Sequence, residues 1–313
     1  MTKPATQRPP LTPRHWPGWL AAGFLWLLGK APRGLGMALS GPLGWLMARL
    51  MKSRRRIARR NLERCFPELG ETRREALIDG CFRALGRMPF EVAWCWSASD
   101  RRMRRMARCE GLAAALDAYG EQRGVLLITA HVTCLEIGAR LAALDLPRAG
   151  GIYRPLRSPV LEWYQNRSRG KYAEALISKR DMRSAIRYLK GGGMLWYAPD
   201  QDFGRRQSLF VPFFGIPAAT LTATARLVEL TGCRVVPMFP RYDEATRQYV
   251  VQFHPALENF PTGDIVADLT RVNAMLEEQV RKAPEQYWWI HRRFKTRPEG
   301  EPPFYDGSER SPP

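Results

Sequence analysis

The sequence predicts an α/β fold, a mixed β-sheet flanked by helices, with an N-terminal membrane-associated helical segment. Three observations carry that expectation. Short runs rich in Val, Ile, Leu, Tyr and Trp alternate with helical patterns between residues 125 and 253, as β-α-β units packed on one sheet do. VVQFHPAL, following CRVVPMFPRY, reads as a returning strand and makes the sheet mixed. Two apolar stretches without acidic residues precede the first basic run. No Ser/Gly-rich linker divides the 313 residues. The expected organisation is therefore N-terminal anchor or interfacial helices over 1–51, one large α/β domain over 52–305 and a disordered tail over 306–313.

The elements are taken in chain order. WPGWLAAGFLWLL, residues 16 to 28, falls short of the ~20 residues that cross a bilayer cleanly, and Lys30, Pro32 and Arg33 interrupt its continuation. Its tryptophans Trp16, Trp19 and Trp26, together with the later arginines, favour a short span or a helix lying in the membrane interface. The Pro-rich preamble and the missing A-x-A site exclude a secretory signal. By the positive-inside rule, everything after Lys52 is expected on the cytoplasmic side. Residues 71 to 96 have helical periodicity interrupted at Pro89, and 110 to 119 form another helix candidate. Strands are expected at VLLITA, around GIYRP, at MLWYAP and at CRVVPMFPRY. Between them lie the helical patterns SPVLEWYQNRSRGKYAEAL, RDMRSAIRYLKG and TLTATARLVELTG, and a helical segment from Asp264 closes the fold.

Charge narrows the partners. With 49 Lys and Arg against 30 Asp and Glu the net charge is +19, which implies a polyanion: nucleic acid, anionic lipid or an acidic carrier protein. The basic residues cluster at KSRRRIARR (52 to 60) and RRMRRMAR (101 to 108). The six cysteines include no CxxC pair, and with four scattered histidines they offer no zinc spacing, so they read as reduced thiols and no metal is expected.

Within VLLITAHVTCLEIG, residues 125 to 138, an apolar run halts at His131 and resumes helically around Glu136. On one continuous helix residues five apart diverge by about 140°. They meet only if the strand ends before His131 and the helix starts between the two, with Thr133 as N-cap. Glu136 then sits in the first helical turn, at the strand end where α/β sites tend to lie. A plainer reading competes: Thr133-Cys134-Leu135-Glu136 matches the capping box, in which Glu136 only bonds its own cap. Cys134, near a helix N-terminus, admits a third reading as a nucleophilic thiol.

The wider pattern resembles one family. HVTCLEIGAR has the His-x4-acid form of the lysophospholipid acyltransferase superfamily. Its Glu version, followed in order by GIYRPLRSPVLEW, LWYAPDQDFG, SLFVPFFGIPAAT and APEQYWWIHRRFKTRPEG, resembles the late, lauroyl-type acyltransferases of lipid A biosynthesis. RHWPGWL and ARRNLERCFPEL extend the likeness to the head of the chain. The resemblance implies a glycerolipid acyltransferase-like fold at the bacterial inner membrane. It also implies acyl transfer from acyl carrier protein to a hydroxyl on a primary acyl chain of a lipid A precursor, often one bearing Kdo.

The thioester is already activated, so the enzyme must deprotonate an alcohol and stabilise an oxyanion, without metal or cofactor. His131 is the expected base and Glu136 the carboxylate on its other ring nitrogen. Arg154 is expected to bind a substrate phosphate or face the oxyanion. Asp200 and Asp202 are expected to orient Arg or sugar hydroxyls. Phe210, Phe213 and Phe214 suit either an acyl channel or core packing. His291, Arg292 and Arg293 either contact anionic substrate or buttress the sheet.

The expected partners are acyl carrier protein, the lipid A precursor and anionic membrane phospholipid. RNP, zinc-finger and helix-turn-helix signals are missing, so nucleic acid is not expected. The alternatives are an acyltransferase for another glycolipid or lysophospholipid, and a non-catalytic basic membrane or nucleic-acid-binding protein.

Overall fold

The computed structural model describes residues 9–305. The expectation of a disordered 306–313 tail falls outside them. Two helices open the chain, α1 (Trp16–Lys30) and α2 (Arg33–Leu50). α3 (Lys52–Cys65), α4 (Glu71–Ser97) and α5 (Asp100–Met106) lead into β1 (Ala107–Glu110) and α6 (Leu112–Gly120). The alternating part runs β2 (Val125–Ile128), α7 (Leu135–Asp145), β3 (Ala149–Tyr153), α8 (Pro159–Arg169), β4 (Ala175–Ser178), α9 (Met182–Lys190) and β5 (Met194–Tyr197). A hairpin of β6 (Ser208–Phe213) and β7 (Ile216–Leu221) comes next, then α10 (Ala223–Thr231), β8 (Arg234–Asp243), β9 (Gln248–Phe253) and α11 (Ile265–Lys282).

The expected mixed sheet is present, with strand order β1-β9-β8-β2-β5-β3-β4. β2, β5, β3, β4 and β8 run parallel, and β9 returns antiparallel to β8. β2 is apolar throughout and wholly buried, as a central parallel strand covered on both faces must be. α11 starts cleanly because the Asp264 carboxylate accepts from the Val266 and Ala267 N–H groups.

Two local expectations needed correction. Pro89 does not interrupt α4, which continues through it to Ser97. A proline inside a helix costs about 3 kcal/mol, and the buried row Phe82, Leu85, Phe90, Trp94 offsets that by packing along the helix. AEAL, read as the end of a helix, instead opens β4, because α8 stops at Arg169 before Gly170. Beyond Pro298 the described chain has no helix or strand, yet Phe304 and Tyr305 are buried, and the Tyr305 hydroxyl lies 2.6 Å from the Asn61 side-chain carbonyl.

α1 and α2 are built inside out. The inward residues of α2 are Gly36, Ser40, Gly44 and Ala48, spaced four apart, so its backbone lies close against α4. A Cβ on Gly44 would meet the Phe82 carbonyl oxygen at 2.3 Å, and one on Gly86 would meet that of Ser40 at 2.1 Å. The large side chains therefore point outward, leaving Leu20, Phe24, Leu27, Leu39, Trp45 and Leu50 exposed. Among the described residues no helix is long and apolar enough to cross a membrane.

Much of the two basic runs is spent inside the protein. Arg55 pairs with Glu75 and Asp79, and Arg59 with Glu75. Arg54 and Arg60 donate to the Ile290 and Phe304 carbonyls. Arg102 holds the Gly29 and Ala31 carbonyls at the end of α1, and Arg104 pairs with Asp145. These arginines tie elements together, so they are not free anion-binding arrays.

Candidate active site

His131 stands three residues beyond the end of β2, and Asp200 three residues beyond the end of β5. The two strands are adjacent and parallel, with Ile128 opposite Tyr197, so equal overhangs bring the two side chains together. His131 Nδ1 lies 2.5 Å from Asp200 Oδ1, and the His131 backbone N–H donates to Oδ2 at 2.9 Å. Burial alone would raise the pKa of Asp200. The opposing effects of the His131 ring, its backbone N–H and the charge of Arg293 win, and the pKa falls to about 2. Asp200 is therefore an anion near neutrality and accepts only, which assigns the ring proton to Nδ1 and leaves Nε2 as the basic atom.

The turn that carries His131 is held from the far end of the chain. Trp288 N–H donates to the His131 carbonyl, Thr133 N–H donates to that of Gln286, and Val132 bridges Tyr287. The PEQYWW segment is thus a brace beside the base. His291 completes it: its Nε2 accepts from the Asp202 N–H, and burial is the main cause that brings its pKa down to about 4.

His131 and Glu136 line the same cavity of about 210 Å³. The strand-turn-helix geometry expected of them is present, since β2 ends at Ile128 and α7 begins at Leu135. No hydrogen bond joins them, however, and the pairing expected of Glu136 is corrected. Arg169 donates to both Glu136 oxygens, at 2.9 and 2.5 Å, while Trp96 Nε1 donates at 2.8 Å and the Tyr172 hydroxyl at 3.4 Å. Burial opposes ionisation of Glu136, but Arg169 and these donors hold its pKa below the usual carboxylate range. The carboxylate ties α7 to α8 and to α4. The capping box is not formed either: Cys134 is the N-cap and no side-chain cap bond is made.

The remaining candidates separate. Arg154 is exposed at the end of β3 and lines the cavity. Asp202 does not line the cavity. Its oxygens accept from Gly204 N–H, Thr296 N–H and the Thr296 hydroxyl, closing a turn. Arg293 is buried and donates to the Ala219 carbonyl and the Thr220 hydroxyl, so it cannot reach out to substrate and acts on Asp200 by charge. Arg292 stacks 4.8 Å from the Tyr305 ring, away from the cavity lining.

Cys134 is buried with its pKa pushed up by desolvation, the opposite of an activated thiol. Phe213 and Phe214 pack on Trp289, Phe66 and Phe294 in the core. The apolar lining comes instead from Leu135, Ala139, Ala142 and Ala143 of α7, Gly151 and Ile152 of β3, and Trp196 of β5. Arg169 was missed by sequence reasoning. No local signal marks it, because its carboxylate lies 33 positions away on another element.

Comparison with known proteins gives the family. The profile described as bacterial lipid A biosynthesis acyltransferase matches residues 4–296. The chain is 38% identical to the lipid A biosynthesis lauroyltransferase of Escherichia coli K12, over 94% of this chain and 96% of that one. It is 36% identical to the palmitoleoyltransferase of the same organism, with the same coverage. The myristoyltransferase of that organism is 30% identical over 92% of this chain and 90% of its own. A profile match over residues 4–296, with 38% identity to a relative over nearly the whole of both chains, places the chain in the bacterial lipid A biosynthesis acyltransferase family.

Proposed function

We propose that this protein transfers a lauroyl-type fatty acyl chain from acyl carrier protein to a hydroxyl of a primary acyl chain on a Kdo-bearing lipid A precursor. The observation that carries the reading is the His131–Asp200 pair beside an apolar cavity, in a chain of this family. His131 Nε2 takes the hydroxyl proton as the alkoxide attacks the thioester carbonyl. The tetrahedral oxyanion then collapses, the new ester forms, and the departing thiolate takes the proton back from the imidazolium. Asp200 stabilises that imidazolium without itself being protonated. The cavity receives the acyl chain, with its apolar lining excluding water. The thioester supplies the activation, so the scheme needs no cofactor besides the acyl carrier co-substrate.

The exposed apolar rows of α1 and α2 favour seating these helices in the interface of the inner membrane, with the sheet on the cytoplasmic side and anionic phospholipid around them. Rises of 1.5 Å per residue make the two helices about 22 and 27 Å long, short of a ~30 Å hydrocarbon core.

The test is product mass after incubating detergent-purified protein, and its His131→Ala variant, with lauroyl acyl carrier protein and a Kdo-bearing tetraacylated precursor. One added acyl group from the parent and at least about a thousandfold less from the variant is the expected result. No product from folded parent protein across several chain lengths would overturn the reading. Flotation with anionic vesicles, lost when Phe24 and Leu27 become Ser, checks the membrane seat.

A further inference from the structure

Buried tryptophans of this chain satisfy their indole N–H groups. Trp94 donates to the Ala31 carbonyl at 3.2 Å, Trp96 to Glu136 at 2.8 Å and Trp289 to the Pro284 carbonyl at 2.7 Å. The buried Gln286 amide is likewise used at both ends, accepting from the Tyr242 N–H and donating to the Tyr242 carbonyl. Two groups in the lining of the cavity break that rule. Trp196 Nε1 and Gln165 Nε2 are both buried, and among the described residues neither has an acceptor. Gln165 as a whole is only 5% exposed. A buried donor without a partner costs stability, and a ligand oxygen in the cavity is an acceptor that would answer both.

The fold brings both donors to one chamber. Trp196 stands in register between Leu127 of β2 and Gly151 of β3, and all three line the cavity. Gly151 has no side chain, so the indole lies against that row, with Trp196 Cε3 at 3.9 Å from the place of a Gly151 Cβ. Gln165 precedes Arg169 by one turn of α8, and both line the cavity. The other polar groups there are already committed: His131 to Asp200, Glu136 to Arg169 and Tyr153 to Glu162. Leu127 is four residues before His131, and Trp196 four before Asp200. At about 3.3 Å per residue, this row lies up to about 13 Å from the base. An oxygen met there belongs to the chain held in the cavity, not to the thioester carbonyl beside Nε2.

We propose that Trp196 Nε1 and Gln165 Nε2 select an acyl donor whose chain carries a hydroxyl, a hydroxylauroyl-type chain in preference to a plain one. This rests on the functional reading above, in which the cavity receives the donor chain. Both donors are neutral and the side chains of Leu135, Ala139, Ala142 and Ala143 beside them are apolar, which favours a neutral oxygen over a carboxylate or phosphate. A hydroxyl oxygen has two lone pairs, one for each N–H. A plain chain fills the same space but leaves both donors unanswered, and a site built in this way discriminates more sharply than a pocket that counts methylenes. The acceptor's own primary chain also has a carbonyl oxygen, so the two sources must be told apart.

The experiment is a competition between donors in one tube. Parent and a Trp196→Phe/Gln165→Met variant each receive lauroyl acyl carrier protein together with an equal amount of the 2-hydroxylauroyl or the 3-hydroxylauroyl form. Product mass gives the ratio of kcat/KM values, which does not depend on total activity, and melting temperature verifies folding. The parent should favour one of the hydroxylated donors by at least about tenfold, and the variant should bring that ratio close to one. Equal use of plain and hydroxylated donors by the parent overturns the proposal, whether or not the variant folds. A preference that survives in the variant overturns it as well. If the parent is indifferent and the variant instead raises the KM of the acceptor, the two N–H groups serve the acceptor's carbonyl and the proposal falls. If the parent transfers neither chain, the functional reading fails on its own. Equilibrium binding of laurate and the two hydroxylaurates to the purified parent then decides the cavity's preference, which is overturned by equal affinities.

Discussion

Two buried carboxylates, Glu136 in the lining of the cavity and Asp200 behind His131, are held in opposite ways. Asp200 faces a histidine, whose ring can pass a proton to and from a substrate; Glu136 faces an arginine, which stays protonated. Both carboxyl pKa values are lowered by their cationic partners against burial. The first pair is suited to proton transfer, whereas the second ties α7, which lines the cavity, to α8 and α4. The identity of the cation facing each acid separates proton transfer from positioning.

The sharpest break of this comparison is Asp200→Asn. It keeps the shape but no longer enforces the Nδ1–H tautomer, and should lower kcat by about a thousandfold or more in the product-mass assay. A loss under tenfold would remove Asp200 from the mechanism. The same substitution has a pH signature. The Asp200 pKa is about 2 when folded against a reference of 3.8, and a depressed carboxylate pKa stabilises the fold above the reference value. That contribution, roughly 2 kcal/mol, is lost as pH falls from about 4 towards 2. Urea titrations should show the gap between parent and Asp200→Asn closing across that window.

Glu136→Gln should act mainly on the fold. It leaves the buried Arg169 guanidinium without its anion, for a loss of about 3 kcal/mol in unfolding free energy and a fall of about tenfold to a hundredfold in kcat/KM. Pairing it with Arg169→Met should recover much of the stability. If Glu136→Gln instead matched the loss of Asp200→Asn with stability unchanged, the distinction between proton transfer and brace would fail.

The smallest effect is expected at Gly151, where an added Cβ meets only Trp196 Cε3 at 3.9 Å. Gly151→Val should fill part of the cavity and shift donor preference towards shorter chains by about tenfold, read by competing lauroyl and myristoyl donors. Its neighbour Gly150 is the control. A Cβ there meets Tyr188 Cε1 at 2.9 Å and the Ala175 carbonyl at 3.0 Å, so substitution should cost stability without tuning chain length.

Local pattern was a good guide where one element's own periodicity decides. The strands at 125, 149, 194, 234 and 248, the returning β9 and the helix start between His131 and Glu136 were all readable. It failed where packing decided. Pro89 lies inside a long buried helix, and β4 was hidden by the helical propensity of AEAL. The β6–β7 hairpin was met only as a block shared with a family. The small residues Gly36, Ser40, Gly44 and Ala48 repeat every four positions, a local signal for close helix packing.

The sequence by itself determined the α/β alternation, the basic surplus, the apolar head and the place of His131 at a strand end, because each depends on neighbours a few residues apart. The choice of partner belonged to the tertiary structure. Asp200 is 69 residues from His131 and Arg169 is 33 from Glu136. Which strand lies beside β2, and in what register, depends on how helices and strands pack across the whole sheet. A carboxylate five residues from a histidine looked like its mate. The order β2-β5 gave the histidine to another.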